Sequence, residues 1–326
     1  MTILVTGVAG FIGAHVAQSL LREGHSVIGF DSLNHYYSPQ LKRDRLNALC
    51  GEGEFSFHEL DVSSIATMKS ALDGRRPNKI LHLAAQAGVR YSLQNPAAYT
   101  EANLAGHFAM LELARDLETE HMVYASSSSI YGGNTKIPFT ETDQTDDPVS
   151  FYGATKKSNE LMSQSYARLY GLSLTGLRFF TVYGPWGRPD MAYWIFAERM
   201  LKGQPIKVFN HGKMSRDFTF IDDIVAGTIA ALERPASTLG LNVPHRVYNL
   251  GNDRPEPLMD LIHLTESGVK IEAVKEYEDM QRGDLERTWA NIDRAREELD
   301  YAPKVSLSDG IAAFTDWFLP RWERYC

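Results

Sequence analysis

Cysteine is scarce in this chain of 326 residues, with only Cys50 and Cys326. The two cysteines do not show the paired spacing that is typical of zinc sites, and two cysteines make no disulfide framework. The ten histidines show no ligand spacing either. We therefore expect a protein that holds no metal and works in a reduced, cytoplasmic setting.

Long apolar runs are also missing, since no stretch approaches the roughly 18 residues that span a bilayer. The opening sequence MTILVTG begins a strand at once and shows no basic leader or apolar core of a signal peptide. A net charge of −8 and a pI near 5.7 argue against binding to anionic polymers or surfaces by bulk electrostatics. The sequence thus predicts neither a nucleic-acid partner nor a membrane.

The first half of the chain alternates short apolar runs with amphipathic segments. Predicted strands cover residues 2–6, 26–31, 54–60, 79–83, 122–126 and 173–178, and predicted helices cover 12–23, 40–49, 65–73, 98–117 and 151–169. The strand runs are nearly continuous and rich in β-branched residues, which suits strands buried on both faces. Such alternation predicts an α/β fold with a Rossmann-type, doubly wound parallel sheet.

The amino-acid composition changes after about residue 180, where proline and glycine become frequent. Segments 218–221 and 246–250 still look like strands, and 222–232 looks like a helix, so we expect all three to return to the main sheet. The main domain would then cover 1–180 with returning segments about 218–250. Residues 181–217 and 252–326 would form a smaller, mixed α/β substrate lobe.

A glycine-rich turn, TGVAGFIG, follows the first predicted strand and places glycines at 7, 10 and 13. These glycines allow a tight turn, a close approach of the backbone to a pyrophosphate, and packing of the next helix on the strand. The helix N-terminus then favours negative charge. Asp31, at the end of the second strand, would bind a ribose diol and so favours NAD over NADP. Asp61 is ambiguous between an adenine contact and a helix cap.

Tyr152 and Lys156 lie four residues apart on a predicted helix that opens after Pro148 and Ser150. This spacing puts both side chains on one face. We expect the lysine ammonium to lower the tyrosine pKa from about 10 towards neutrality, which makes the tyrosine a usable general base.

These motifs resemble those of the extended short-chain dehydrogenase/reductases, in which a serine or threonine precedes the Tyr-x-x-x-Lys pair by some 25 residues. Ser127 stands 25 residues before Tyr152. The resemblance covers essentially the whole chain and implies bound NAD, a catalytic set of Ser127, Tyr152 and Lys156, and a homodimer formed through helices 98–117 and 151–169. The residues predicted to surround NAD are Gly7, Gly10, Phe11, Ile12, Gly13, Asp31, Asn34, Asp61, Val62, Leu83, Ala84, Ala85, Ser126, Tyr152, Lys156 and Phe179.

Four further stretches are similar to the nucleotide-sugar epimerases, and most of all to the UDP-glucuronate 4-epimerases. They are DSLNHYYSPQLK at 31–42, AAQAGVRYS at 84–92, RFFTVYGPWGRPDM at 178–191 and SRDFTFIDDI at 215–224. The resemblance implies a UDP-sugar substrate and interconversion of UDP-glucuronate and UDP-galacturonate. In that reaction the tyrosine removes the carbon-4 hydroxyl proton, hydride passes to NAD, and hydride returns to the other face of the 4-keto sugar.

The residues predicted to contact the substrate are Arg90, Ser128, Ser129, Thr181, Arg188, Val208, Phe209, Arg216 and Arg282. A 4-keto uronate is a β-keto acid that decarboxylates readily, so its carboxylate must be held, and Arg188 with Thr181 are the candidates. Arg216 resembles a diphosphate ligand, with a salt bridge to Asp217 as the alternative. The alternative interpretation of Arg188 is a surface arginine, and that of Phe209 is a core residue.

Several other functions stay open. A 4,6-dehydratase or a UDP-glucuronate decarboxylase would carry an acidic residue beside the catalytic serine, where this chain has Ser128 and Ser129. Only an assay with both UDP-glucose and UDP-glucuronate would distinguish a UDP-glucose/UDP-galactose 4-epimerase from a UDP-glucuronate 4-epimerase. A non-catalytic NAD-binding sensor is the alternative from another class, and the intact Ser127, Tyr152 and Lys156 set argues against it.

Overall fold

The computed structural model describes residues 1–281 and 283–326. Its strands are β1 Thr2–Thr6, β2 Ser26–Asp31, β3 Phe55–Glu59, β4 Lys79–His82, β5 His121–Ser127, β6 Leu174–Phe179, β7 Thr181–Tyr183, β8 Ile206–Phe209, β9 Ser215–Phe220, β10 His245–Leu250, β11 Pro255–Pro257 and β12 Lys275–Glu278. Its α-helices are α1 Phe11–Arg22, α2 Pro39–Leu49, α3 Ile65–Leu72, α4 Tyr91–Gln94, α5 Pro96–Tyr99, α6 Gly106–Asp116, α7 Phe151–Tyr170, α8 Ala192–Leu201, α9 Ile221–Glu233, α10 Leu258–Val269, α11 Asp293–Leu299, α12 Leu307–Phe318 and α13 Trp322–Tyr325.

Seven parallel strands form the main sheet in the order β10-β6-β5-β4-β1-β2-β3. The predicted Rossmann-type α/β fold is confirmed. The order in which successive strands are added to the sheet reverses between β1 and β4, so a crevice opens beyond the carboxyl ends of these strands. The glycine turn after β1 and the serines at the end of β5 both lie at this edge.

The strand predicted at 218–221 was expected to return to the main sheet, and that expectation is wrong. The strand exists as β9, but it pairs in parallel with β7 and antiparallel with β11 in a separate three-stranded sheet. A strand pattern identifies buried extended chain but not its partner. β10 does join the main sheet beside β6, and α9 packs on β5 and β6. The domain boundaries stay a proposal.

The helix predicted as one element over 98–117 is interrupted. The short helix α5 runs into a wider π-type turn at Thr100–Ala105 before α6 begins. Buried Asn103 in this turn donates its side-chain amide to the Thr155 hydroxyl at 3.0 Å and receives Asn159 Nδ2 on its carbonyl oxygen at 2.6 Å. These two hydrogen bonds join the turn to α7.

The smaller part of the chain consists of the β7-β9-β11 sheet, the parallel pair β8-β12 and helices α8, α10 and α12. Its core is aromatic, with Tyr193, Trp194, Phe314 and Phe318 fully buried and in ring contact. Among the described residues, no helix combines the length and apolar composition needed to cross a bilayer.

Candidate active site

The glycine turn after β1 has the shape of a phosphate cradle. A Cβ added at Gly13 would lie 2.1 Å from the Gly7 carbonyl oxygen, and one at Gly10 would lie 2.9 Å from the same oxygen. Only glycine fits either position without moving backbone. Helix α1 starts at Phe11 with no side-chain cap, which leaves its first backbone N–H groups for an anion.

Asp31 lies at the end of β2 beside this turn. Its carboxylate accepts hydrogen bonds from the backbone N–H groups of Ala9 at 3.1 Å and Leu33 at 2.9 Å. Burial raises the pKa of Asp31, against the opposing effects of these hydrogen bonds and of Lys42 and Arg45. The carboxylate is thus fixed next to the cradle, where a ribose diol fits and a ribose phosphate would be repelled.

One cavity of about 440 Å³ joins the cradle to the end of β5. The predicted residues in its wall are Gly7, Gly10, Phe11, Ile12, Gly13, Asp31, Asn34, Asp61, Val62, Leu83, Ala84, Ala85, Ser126, Ser127, Ser128, Ser129, Tyr152, Lys156, Phe179, Thr181, Arg188 and Arg216. The fold therefore brings together all the residues predicted to surround NAD and most of those predicted for the substrate. The cradle and Asp31 together fit NAD.

The residues predicted to be catalytic, Ser127, Tyr152 and Lys156, lie where the start of α7 meets the end of β5. Ser150 caps α7 by accepting the Gly153 N–H at 3.0 Å. A Cβ on Gly153 would lie 2.6 Å from the Ser129 carbonyl oxygen, so glycine lets the helix start approach the serine turn closely. This approach places Tyr152 near enough to Ser127 for the Ser127 hydroxyl to lower the Tyr152 pKa.

The expected effect of Lys156 on Tyr152 is not found in the structure. The Lys156 ammonium donates to the Ala125 carbonyl oxygen at 2.8 Å, and burial lowers its pKa to about 7. Burial also raises the pKa of Tyr152, and the groups that oppose the rise are the Ser127 hydroxyl and the charge of Arg188. The prediction that Lys156 lowers the Tyr152 pKa is wrong for the protein alone, because the desolvated lysine faces the backbone of β5.

Arg188 forms an ion pair that the sequence analysis did not anticipate. Its Nε donates to Asp190 Oδ1 at 3.0 Å and its Nη2 to Oδ2 at 2.5 Å, while the Tyr36 hydroxyl donates to Oδ2 at 3.0 Å. Burial alone would raise the pKa of Asp190, but Arg188 and Tyr36 hold it below its ordinary value. With 24% of its side chain exposed, Arg188 is not a free surface arginine.

A second polar cluster lies around Arg216. The pKa of Arg216 is lowered by burial, with Asp284 opposing and Arg90 assisting the shift. Arg90 donates to Asp284 at 3.1 Å and stacks on the Phe209 ring at 4.9 Å. The cavity wall includes Arg216 and Asp284 but not Arg90 or Phe209.

Val208 and Arg282 are the two predicted substrate contacts not yet placed. Val208 is fully buried and is not part of the described cavity wall, so its side chain belongs to the core. Arg282 lies outside the described residues. The alternative pairing of Arg216 with Asp217 is not seen, since Asp217 accepts hydrogen bonds from Asn252, Thr219 and Ala290.

Sequence reasoning missed a buried ion pair behind the serines. Arg178 on β6 donates two hydrogen bonds to Glu160 on α7, at 2.9 and 2.8 Å, and Ser126 donates to the same carboxylate at 2.6 Å. The hydroxyl proton of Ser126 is thereby engaged by Glu160. A signal existed, because Glu160 follows Lys156 by four residues and shares its helix face.

A family comparison decides what kind of protein holds this site. Residues 3–251 match the NAD dependent epimerase/dehydratase family. The chain belongs to this family. It is an NAD-dependent nucleotide-sugar epimerase, as predicted from the stretches at 31–42, 84–92, 178–191 and 215–224.

Relatives of the epimerase span its whole length. It is 44% identical to Protein CapI of Staphylococcus aureus, over 99% of this chain and 100% of that one. It is 47% identical to UDP-glucuronate 4-epimerase 4 of Arabidopsis thaliana, over 98% of this chain and 75% of that one. The crystal structure of UDP-glucuronic acid 4-epimerase from Bacillus cereus, in complex with UDP-glucuronic acid and NAD, superposes with a TM-score of 0.90 at 34% identity, covering 98% of this chain and 99% of that one.

Proposed function

We propose that the epimerase interconverts UDP-glucuronate and UDP-galacturonate by transient oxidation at carbon 4. The observation that carries this proposal is Arg188, which lies in the wall of the catalytic cavity close enough for its charge to lower the pKa of Tyr152. A guanidinium beside the reacting carbon suits a sugar that carries a carboxylate next to that carbon. The Arabidopsis and Bacillus relatives are both named as 4-epimerases of UDP-glucuronate.

Proton transfer is assigned to Tyr152, supported by Ser127. Tyr152 accepts the proton of the carbon-4 hydroxyl in its deprotonated form, which is the minor form in the protein because burial raises the Tyr152 pKa. The Ser127 hydroxyl holds the carbon-4 oxygen by a hydrogen bond. NAD, when bound in the cradle, supplies reversible acceptance of a hydride. Tyr152 returns its proton when the carbon-4 alcohol re-forms with the opposite configuration, so no net oxidation occurs.

Protection of the 4-keto sugar is assigned to Arg188 and Thr181. The carboxylate of a β-keto acid leaves most readily when its bond aligns with the ketone π system. A two-point contact from a guanidinium fixes the carboxylate plane and restrains that alignment. Since Arg188 already contacts Asp190 through Nε and Nη2, the sugar carboxylate must share or displace part of this ion pair.

Acid–base elimination is disfavoured at this site. Ser126, Ser127, Ser128 and Ser129 line the cavity in succession and offer no carboxyl group for loss of water. The charge of Asp190 acts on Tyr152, and Arg188 holds the pKa of Asp190 low, so Asp190 is ionised at neutral pH. It is therefore a poor proton donor to a leaving hydroxyl.

The proposed homodimer and cytoplasmic setting are kept as part of this proposal. Helices α6 and α7 carry exposed apolar side chains, with Phe108 at 47%, Leu161 at 59% and Leu169 at 68% exposure. Such a patch favours a protein partner over solvent. Sedimentation analysis of the protein and of a Leu161→Lys, Leu169→Lys variant tests whether these helices form the dimer.

The deciding experiment incubates the purified holoenzyme with UDP-glucuronate and, in parallel, with UDP-glucose. Product analysis by NMR distinguishes UDP-galacturonate from a UDP-pentose and from UDP-galactose. We expect UDP-galacturonate without release of carbon dioxide, and little conversion of UDP-glucose. A UDP-pentose as the main product would identify a decarboxylase, and faster turnover of UDP-glucose would identify a neutral-sugar epimerase.

A further inference from the structure

Arg45 is a fully buried arginine that pairs with no carboxylate among its hydrogen-bond partners. It lies on α2 and is 1% exposed. All five of its N–H groups are satisfied by oxygens from three separate loops. The acceptors are the carbonyl oxygens of Ala9 at 3.0 Å, Trp186 at 3.0 Å and 2.6 Å, and Gly187 at 2.8 Å, and the hydroxyl of Tyr37 at 2.7 Å.

One end of this contact set lies in the phosphate cradle. Ala9 stands between Gly7 and Gly10, and its N–H donates to Asp31 at 3.1 Å while its carbonyl oxygen accepts from Arg45. The charge of Arg45 also acts on Asp31, whose pKa it lowers against the larger effect of burial. Arg45 therefore fixes the cradle residue that also contacts the ribose-binding carboxylate.

The other end lies in the turn that carries Arg188. Trp186 has a φ of 59°, in the left-handed region, and Arg45 holds its carbonyl oxygen with two N–H groups. At Gly187 a Cβ would meet the Tyr193 hydroxyl at 1.9 Å. A tryptophan in the left-handed region is strained and persists only where its surroundings enforce that conformation. Arg45 makes such a contact, and the tryptophan that it holds lies two residues before Arg188.

We propose that Arg45 is a positioning residue that couples NAD in the cradle to the sugar carboxylate at Arg188. This inference rests on the proposed function, because it needs Arg188 to face a carboxylate. When either ligand orders its loop, the shared guanidinium orders the other loop as well, and the second ligand binds with less conformational cost. The coupling keeps NAD bound while the 4-keto sugar is present, which a redox-neutral reaction requires.

The test measures release of NAD from holoenzyme in the Tyr152→Phe background, where oxidation is stopped. The rate of NAD release after dilution is recorded alone, with saturating UDP-glucuronate and with saturating UDP-glucose. With Arg45 present we expect UDP-glucuronate to slow release about 10-fold more than UDP-glucose does, within the usual range for coupled sites. With Arg45→Met this difference falls below about 2-fold.

The matched control is Arg43→Met, since Arg43 is exposed two residues earlier on the same helix. It should keep the full difference between the two sugars. A merely structural role for Arg45 would lower the melting temperature and speed NAD release equally with both sugars. If Arg45→Met does not fold, Arg45→Lys keeps the charge without the five-donor fork, and it should lose the same difference.

The outcomes separate two failures. A difference between the sugars that survives replacement of Arg45 overturns the coupling while leaving the substrate assignment intact. The absence of any such difference in the chain that keeps Arg45 also overturns the coupling, whereas the proposed substrate is decided separately by the product analysis with UDP-glucuronate and UDP-glucose. Hydrogen exchange gives a second measurement on the Tyr152→Phe holoenzyme, where UDP-glucuronate but not UDP-glucose should slow exchange of the amides at 8–10.

Discussion

Arg188 and Asp190 form a two-point ion pair at the wall of the catalytic cavity, with contacts of 3.0 and 2.5 Å. The pair has two consequences. It presents a cation whose orientation is already fixed, which reduces the cost of binding a planar carboxylate. It also keeps the Asp190 carboxylate ionised and occupied, so a negative charge near the reacting sugar is neutralised.

Replacement of Arg188 by alanine is expected to change the product as well as the rate. Epimerisation of UDP-glucuronate should fall by at least about 100-fold, because a positioning contact at the reacting centre is lost. Part of the remaining turnover should yield a UDP-pentose and carbon dioxide, measured by NMR and trapped radiolabel. An Arg188→Ala, Asp190→Asn double variant removes the orphaned carboxylate as well. Recovery of epimerisation there, or unchanged turnover in the single variant, would reject the role of Arg188.

Tyr152→Phe should abolish turnover and leave NAD bound. Removal of a general base typically costs 10²–10⁴-fold, so we expect a fall on the order of 10³-fold in kcat. The cradle and Asp31 are untouched, so the NAD content of the purified protein should match that of the parent. Tyr170→Phe, at the exposed end of the same helix, is the control and should be fully active. A sensor without catalysis would respond equally to both variants.

Much of the main sheet could be predicted from the sequence. The boundaries predicted for β1 and β2 agree with the structure, and those of β3 to β6 lie within one residue or so. Apart from the edge strand β3, these strands are largely buried on both faces, so their apolar runs are nearly continuous and can be recognised locally. The partner of β9 could not be predicted, because pairing depends on contacts that are distant in sequence. The interruption at Thr100–Ala105 was not predicted, and buried Asn103 within it bonds to a helix that is distant in sequence.

The site shows the same division between local and distant information. The glycine cradle and the Tyr152–Lys156 spacing are local motifs, and both were found. Asp190 and Arg178 act through partners brought close by the fold, and they were missed. Arg45 left a signal, because its spacing from Leu41 and Leu49 puts a charge on the apolar face of α2. A charge at such a position must find buried acceptors.

Glu160→Gln is expected to destabilise the protein strongly. The Glu160 and Arg178 side chains are 6% and 5% exposed, so the variant leaves a buried arginine without its counter-charge. The free energy of unfolding should fall by about 3 kcal/mol or more in urea titrations. The exposed pair of Arg22 and Glu52 is the control, and Glu52→Gln should give no resolvable change. Equal effects of the two substitutions would contradict this account of the buried pair.

Asp217→Asn is expected to change how stability depends on pH. Asp217 is fully buried on β9, and burial raises its pKa from 3.8 to about 6, against hydrogen bonds from Asn252, Ala290 and Thr219. Because the folded state binds this proton more tightly than the unfolded chain, the contribution of Asp217 is most favourable below about pH 4. It is lost as the pH rises through 6.

The stability of Asp217→Asn relative to the parent should therefore rise between pH 4 and pH 7. A shift of this size corresponds to a change of up to about 3 kcal/mol in the difference between their unfolding free energies. Asp44 gives a control with the opposite pKa shift: burial alone would raise its pKa, but hydrogen bonds from Arg324, Tyr325 and Gln40 hold it below its ordinary value. Because the contribution of a carboxyl with a lowered pKa is already present above about pH 4 and is lost only as the pH falls further, the Asp44→Asn variant should change little relative to the parent between pH 4 and pH 7. Urea titrations at the two pH values measure both differences, and a flat difference for Asp217→Asn would show that its carboxylate is ionised in the folded protein throughout this range.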